Sequence, residues 1–250
     1  MGIEARPVRE TIVRLRLTDD ERAGDHRFFT AMAVLCTAVV LVGFAPTYYL
    51  RGLTEQQPLP PLIHLHGAVS TGWILLFLTQ TSLAAGRRTD IHRRLGVAGA
   101  VLAAVVLVMG WLVAIDAAKR GVAPPGAPAQ PGFLAIPLGT VLSFAVLAAA
   151  GLWNRRRSET HKRFMLLATI ALLAPALARY RFYGVRGGPV TAIAGTLALI
   201  AVCLIYDRRA HGRVHPAFVW GGAFLSLSLI GRFALAGTEA WRAVGAWLIG

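Results

Sequence analysis

The chain has 250 residues, of which 56% are hydrophobic and 15% charged, and its net charge is +14. A mean hydropathy of +0.58 excludes an ordinary soluble domain and predicts an integral membrane protein. The basic residues cluster in short segments between apolar runs, where they set membrane topology, so we expect the lipid bilayer and no nucleic acid as a partner.

The N-terminal segment differs from the rest of the chain. Residues 1–27 carry charges of both signs and lack the small-residue cleavage site of a removed signal peptide. We therefore expect residues 1–27 to form a cytoplasmic segment and residues 28–250 to form one transmembrane domain.

The remaining sequence contains apolar runs long enough to cross a bilayer, which takes about 20 residues in a helix. The pattern predicts an all-α bundle of seven transmembrane helices: Phe28–Leu50, Leu62–Ala85, Leu95–Ile115, Phe133–Trp153, Phe164–Ala178, Val190–Tyr206 and Ala217–Ala236. Pro175 in the fifth run predicts a kink, or an extension toward Phe182 that brings Arg179 to the interface.

Charge in the short loops predicts the orientation of the bundle. The loops after the second, fourth and sixth runs hold twelve Lys and Arg residues, and the alternate loops hold six. Basic residues accumulate on the cytoplasmic side, so we expect a cytoplasmic N-terminus and an external C-terminus.

Two ten-residue segments are nearly the same, "RRTDIHRRLG" at 87–96 and "RRSETHKRFM" at 156–165, and "DRRAHGRVHPAF" begins the seventh run in a similar way. His92, His161 and His215 are thereby predicted to lie at one depth on the cytoplasmic side. Imidazole is a common ligand of zinc, copper and haem iron, so this set predicts a metal or haem b site. The alternative is that the histidines contact lipid headgroups, with Asp90, Ser158 and Glu159 starting the helices.

A second set of polar residues is predicted at the external side. His64 and His66 lie in the first turns of the second helix, and a separation of two residues points them in different directions. Arg179 and Arg232 fall at the same side, and the apolar neighbours of Arg232 make its charge costly unless it snorkels or has a partner. Asp116 is a candidate counter-ion. We expect these four residues to form a polar site, with a quinone head group as a candidate ligand.

The second run also contains small and hydroxyl residues, including "LTQTS" at 78–82. Such residues allow close helix packing, so the pattern predicts a central position for this helix. Gln80 is expected to form a hydrogen bond between two helices.

The histidine motifs resemble those of other membrane proteins. The segments His64-x-His66-Gly67, "HRRLG", "HKRFM" and "HPA" resemble a group of functionally uncharacterised bacterial multi-pass proteins with HRxLG and HKRLM signatures, over about Leu62 to Leu235. The resemblance implies a bacterial inner-membrane location and no established activity. The spread of histidines over successive helices is more distantly similar to di-haem b-type cytochromes, which implies haem b. Only one helix carries external histidines, so the similarity implies a single haem at the cytoplasmic side.

A different resemblance involves the spacing His211-x-x-x-His215, which is similar to that of seven-helix zinc hydrolases. Gly212 and Pro216 predict that His211 lies in a loop, and Asp90, Glu159 and Asp207 are expected to be loop groups.

The leading expectation is electron transfer through a redox cofactor held by His92, His161 and His215. A cofactor-free accessory or assembly subunit of a membrane complex and a zinc-dependent hydrolase are the alternatives.

Overall fold

The computed structural model describes residues 5–53, 58–123, 127–184 and 187–250, with side chains from Arg22 onward except at 181–183. Within these ranges the chain is helical and has no β-strand. The α-helices are α1 (Ala5–Phe44), α2 (Pro61–Ala85), α3 (Thr89–Lys119), α4 (Ala135–Trp153), α5 (Ser158–Ala171), α6 (Ala174–Leu177), α7 (Pro189–His211), α8 (Pro216–Ala236) and α9 (Glu239–Ile249).

Seven helical segments among the described residues are long and apolar enough to span a membrane. They are Arg22–Tyr49, Pro61–Ala85, Thr89–Lys119, Gly132–Trp153, Ser158–Tyr180, Pro189–His211 and Pro216–Ala236. Each overlaps one predicted run, so the all-α prediction with seven spans is confirmed. The segments fit a multi-pass membrane protein.

The fifth span is interrupted near its middle. Helix α5 ends at Ala171, α6 covers Ala174–Leu177, and a 3-10 helix continues over Ala178–Tyr183. Pro175 has no N–H and its ring crowds the carbonyl of Ala171, so the α-helix cannot continue unbroken. The kink and the extension predicted as alternatives therefore occur together.

Helix α5 occupies the centre of the bundle. In the fifth span 61% of the most apolar stretch is buried, against 17% in α2, and α5 packs on α1, α4, α7 and α8. The prediction that the second helix is central is wrong. Its Thr79 and Ser82 hydroxyls donate to the carbonyls of Leu75 (2.8 Å) and Leu78 (2.9 Å) in their own helix, so they need no neighbouring helix.

A short helix that the sequence pattern did not predict follows the seventh span. Thr238 caps α9 by accepting a hydrogen bond from the Trp241 backbone N–H (3.2 Å), and the Trp241 indole donates to the Gly132 carbonyl (3.2 Å). At 11 residues the helix is too short to cross a bilayer. It packs against α3 and α8.

The bundle has two polar ends. The histidine end is where α2 meets α3, α4 meets α5 and α7 meets α8, and it contains His92, His161 and His215. The opposite end joins α1 to α2 and α8 to α9, and it contains His64, His66, Arg179 and Arg232.

Candidate functional site

Two of the three predicted ligands are in edge contact with each other at the histidine end. His92 lies in the first turn of α3 and His161 in the first turn of α5. Their ring centroids are 6.3 Å apart and the ring planes meet at 87°. The repeated segments therefore bring two imidazoles together, although their positions in the chain are 69 residues apart by their numbering.

Each of these imidazoles is held by the helix that precedes it. His161 Nδ1 lies 2.8 Å from the Gly151 carbonyl oxygen of α4, and His92 Nδ1 lies 3.3 Å from the Gln80 carbonyl oxygen of α2. A carbonyl oxygen only accepts, so each Nδ1 must carry the hydrogen, which leaves the Nε2 lone pair free in the neutral ring. Gln80 Nε2 also donates to the His92 carbonyl (3.2 Å), which confirms the predicted bridging role of Gln80.

The hydrogen bonds of these two imidazoles resemble those of histidines that ligate a metal. Histidines that ligate a metal usually donate their other ring N–H to a carbonyl or carboxylate, which fixes the tautomer. Among the described residues, no group of three or more His, Cys, Asp or Glu side chains could hold a metal ion. A centre here would therefore have two protein ligands.

His215 lies at the same end but has a different role. It caps α8, and its Nδ1 accepts a hydrogen bond from the Ala217 backbone N–H (3.1 Å). Its own backbone N–H donates to Asp207 Oδ2 (2.9 Å). Burial, reinforced by the charge of Arg163, lowers the pKa of the His215 imidazole, which favours the neutral form that the cap requires. A position at the same end of the bundle therefore does not bring all three predicted ligands into one group.

A buried ion pair lies beside His215. The Arg163 side chain is 2% exposed and Asp207 is 0% exposed, and the guanidinium donates to both carboxylate oxygens, at 2.7 Å from Nη2 and 2.9 Å from Nε. Arg163 Nη1 also donates to Glu159 Oε2 (2.8 Å). Asp90 and Glu159 lie in the first turns of α3 and α5, which confirms the prediction that they lie at the starts of these helices. Asp207 lies within α7, so the other prediction, that these three residues are loop groups, is wrong.

Asp25 of α1 forms the second part of this network. It accepts hydrogen bonds from Lys162 Nζ (2.5 Å) and from the Tyr206 hydroxyl (2.6 Å), and His211 Nε2 lies 3.2 Å away. The prediction that His211 lies in a loop is wrong, because α7 continues to His211 and ends at Gly212, whose φ of 69° is left-handed. His211 lies close to the carboxylates of Asp25 and Asp207, and these contacts stabilise the helical conformation at the end of α7.

The three consecutive residues His161, Lys162 and Arg163 hold the histidine end together. Successive residues of a helix point about 100° apart, so each of them reaches a different neighbour. His161 contacts α4 and His92, Lys162 contacts α1, and Arg163 contacts α7. The equivalent residues of the first repeat, Arg93 and Arg94, are exposed.

The opposite end contains His64, His66 and Arg179. His64 is exposed and lies against the Tyr48 ring, with centroids 5.9 Å apart. His66 is half-buried, and its buried Nδ1 has no hydrogen-bond partner among the described residues. The Arg179 guanidinium lies over the Phe44 ring at 4.3 Å. The two histidines point in different directions, as predicted.

Arg232 is separate from these groups and contacts α4. Its side chain is buried, Nη1 donates to Thr140 Oγ1 (2.6 Å), and Nε is buried without a hydrogen-bond partner within the described part of the chain. Asp116 is not its counter-ion, because Asp116 pairs with Arg120 at 2.6 Å. Arg232 therefore remains a buried cation with one neutral partner in the described structure.

Comparisons with known proteins add no family to this description. No family model matches the chain, and no curated protein or solved structure matches it either. The resemblances drawn from the histidine motifs therefore stay predictions, and the function has to be argued from the geometry.

Proposed function

We propose that this protein is a multi-pass membrane protein that binds one metal-centred redox cofactor, a haem b or a transition-metal ion, between His92 and His161. The observation that carries the proposal is the matched pair of imidazoles, each bonded through Nδ1 to a carbonyl of the preceding helix. The same orientation arises in two separate hairpins and leaves two Nε2 atoms available.

The surroundings of the pair support this proposal. Arg88, Arg93 and Arg94 are exposed next to His92, and guanidinium groups bind carboxylates such as haem propionates in bidentate fashion. The buried carboxylates Asp25 and Asp207 already contact Lys162 and Arg163, so they do not compete for a metal ion.

Each protein group has a defined task in this proposal. His92 and His161 would supply nitrogen lone pairs, and the carbonyls of Gln80 and Gly151 would hold the imidazoles in the required tautomer. The Arg163–Asp207 pair fixes the start of α5 and so the position of His161. His92 and His161 would hold the group through both imidazoles, and the chemistry that it would supply is electron transfer.

The test is an absorption spectrum and a metal analysis of the purified protein and its variants. His92→Ala and His161→Ala should each remove most of the bound haem or metal, and the double variant should lose little more, since both residues act on one centre. His64→Ala, on the exposed face at the opposite end, is the matched control and should retain the cofactor.

Other outcomes would favour the alternatives. A protein that carries neither haem nor metal, with unchanged properties in every histidine variant, would contradict the proposal and favour a cofactor-free accessory subunit. Zinc that is lost in His211→Ala but kept in His92→Ala would favour a zinc hydrolase instead.

A further inference from the structure

A basic groove lies between α1 and the end of α2, at the histidine end but apart from the His92–His161 pair. Its volume is about 440 Å³, and it is lined by Arg22, Ala23, His26, Arg27, Ala85 and Arg87. The groove therefore joins the region where the first span begins to the turn that leads into α3.

The described lining of this groove is positively charged. Its described lining contains three guanidinium groups and one imidazole, and no carboxylate. Asp25, which lies on the same part of α1, is buried and bonded to Lys162 and Tyr206. Its charge is therefore compensated within the bundle and is directed away from the groove.

The backbone at Arg87 forms one side of the groove. Arg87 has a φ of 57°, and it is the non-glycine residue with a positive φ in the described part of the chain. This left-handed conformation is unfavourable for an L-residue with a long side chain. Gly86, which would adopt it freely, stands one position earlier with an ordinary φ of −78°. The conformation belongs to the C-terminal cap of α2, in which the backbone N–H groups of Arg87 and Arg88 donate to the carbonyls of Ala84 (3.2 Å) and Leu83 (2.9 Å). This cap places Arg87 in the lining of the groove.

We propose that this groove binds the phosphate group of an anionic phospholipid. The groove lies at the end of α2 and just before the apolar run of α1 that begins at Phe28, which is the depth of lipid headgroups. Basic pockets between spanning helices bind anionic headgroups. Arginine is suited to phosphate because its planar N–H groups match two oxygens at once. This site is independent of the cofactor proposed between His92 and His161.

The proposal is tested by titrating the purified full-length protein with phosphatidylglycerol and counting bound lipid by native mass spectrometry. The combined variant Arg22→Gln, Arg27→Gln and Arg87→Gln should bind this lipid about tenfold or more weakly. The matched control is Arg155→Gln, Arg156→Gln and Arg157→Gln, which removes the same charge from exposed residues at the same end. It should retain nearly all of the affinity.

Two further arms separate a lipid site from a site for soluble anions and from a general effect of charge. Inorganic phosphate added in excess should leave the bound lipid in place; displacement by inorganic phosphate would identify a soluble anion as the ligand and overturn the proposal. Equal losses in the two triple variants would overturn it as well, because they would indicate that total charge rather than the groove attracts the lipid.

Arg87→Gly tests the strained position directly. Glycine adopts a φ of 57° without strain, so this variant should unfold at the same or a higher temperature and still bind phosphatidylglycerol about fivefold more weakly. A lower unfolding temperature with unchanged lipid binding would show that Arg87 has only a structural role.

Discussion

The two polar ends of this bundle differ in whether their buried charges have an oppositely charged partner. At the histidine end, Asp25, Arg163 and Asp207 are all buried in contact with an opposite charge. At the opposite end, Arg232 is buried with a single hydrogen bond to the neutral hydroxyl of Thr140 in the described structure. Buried charges in ion pairs connect neighbouring helices. A buried polar group whose donors or acceptors are not all used in hydrogen bonds is available to a ligand.

The same distinction separates residues within the histidine end. Arg163 uses all three of its nitrogen atoms in bonds to Asp207 and Glu159. His92 and His161 each use one ring nitrogen in a bond to a carbonyl. The ion network is therefore a structural element beside the candidate site, and the histidine pair is the part with free bonding capacity.

The largest effect is expected from breaking the buried ion pair. Asp207→Ala leaves the Arg163 guanidinium without its main partner, and removing one member of a buried pair costs about 3–5 kcal/mol. Thermal unfolding in detergent should show the loss. Asp90→Ala, at an exposed position, is the control and should change the stability little. Equal stability of the two variants would contradict the structural role of the network.

Arg232 should respond in the opposite direction. Arg232→Leu removes a buried charge that has no carboxylate partner among the described residues, so the purified protein without added ligand should gain about 1–2 kcal/mol of stability. The exposed Arg242 of α9 is the control, and Arg242→Leu should have little effect. If Arg232→Leu destabilises the protein as strongly as Asp207→Ala, the contrast between the two ends is wrong.

A smaller, pH-dependent effect is expected at His215. Its folded-state pKa is lowered, so the unfolded chain binds the proton more tightly, and stability should fall as the pH drops below about 6.5, the ordinary histidine value. Above that pH the contribution is fully present. His215→Asn retains a capping side chain that does not titrate, so it should lose this part of the acid sensitivity in unfolding measured from pH 8 to pH 5. An unchanged pH profile would contradict the capping role of the neutral imidazole.

The sequence predicts the spans of this fold better than their arrangement. Hydropathy located all seven spans because each needs a long apolar run, and the repeated segments led to His92 and His161. The central position of α5 and the Arg163–Asp207 pair could not be derived in this way, because they depend on which faces of distant helices meet. Helix α9 was missed because a search for spans of about 20 residues passes over a short amphipathic helix.

The errors at the end of α7 have a related cause. The segment Asp207 to His211 is charged and precedes a glycine, which locally resembles a loop. In the folded chain its members contact Asp25 and Arg163, so tertiary ion pairs stabilise the last turns of the helix. A local pattern contains no information about those partners.

The most direct test of the central claim is pulsed electron paramagnetic resonance of the purified protein loaded with one equivalent of Cu²⁺. When an imidazole binds copper through Nε2, its uncoordinated nitrogen, Nδ1, gives a modulation in the pulsed signal. The modulation therefore counts the coordinated imidazoles. We predict two coordinated imidazoles in the unmodified protein and in His215→Ala, and one in His92→Ala and in His161→Ala. An unchanged count in His92→Ala, or a loss in His215→Ala, would contradict the assignment of His92 and His161 as the ligand pair.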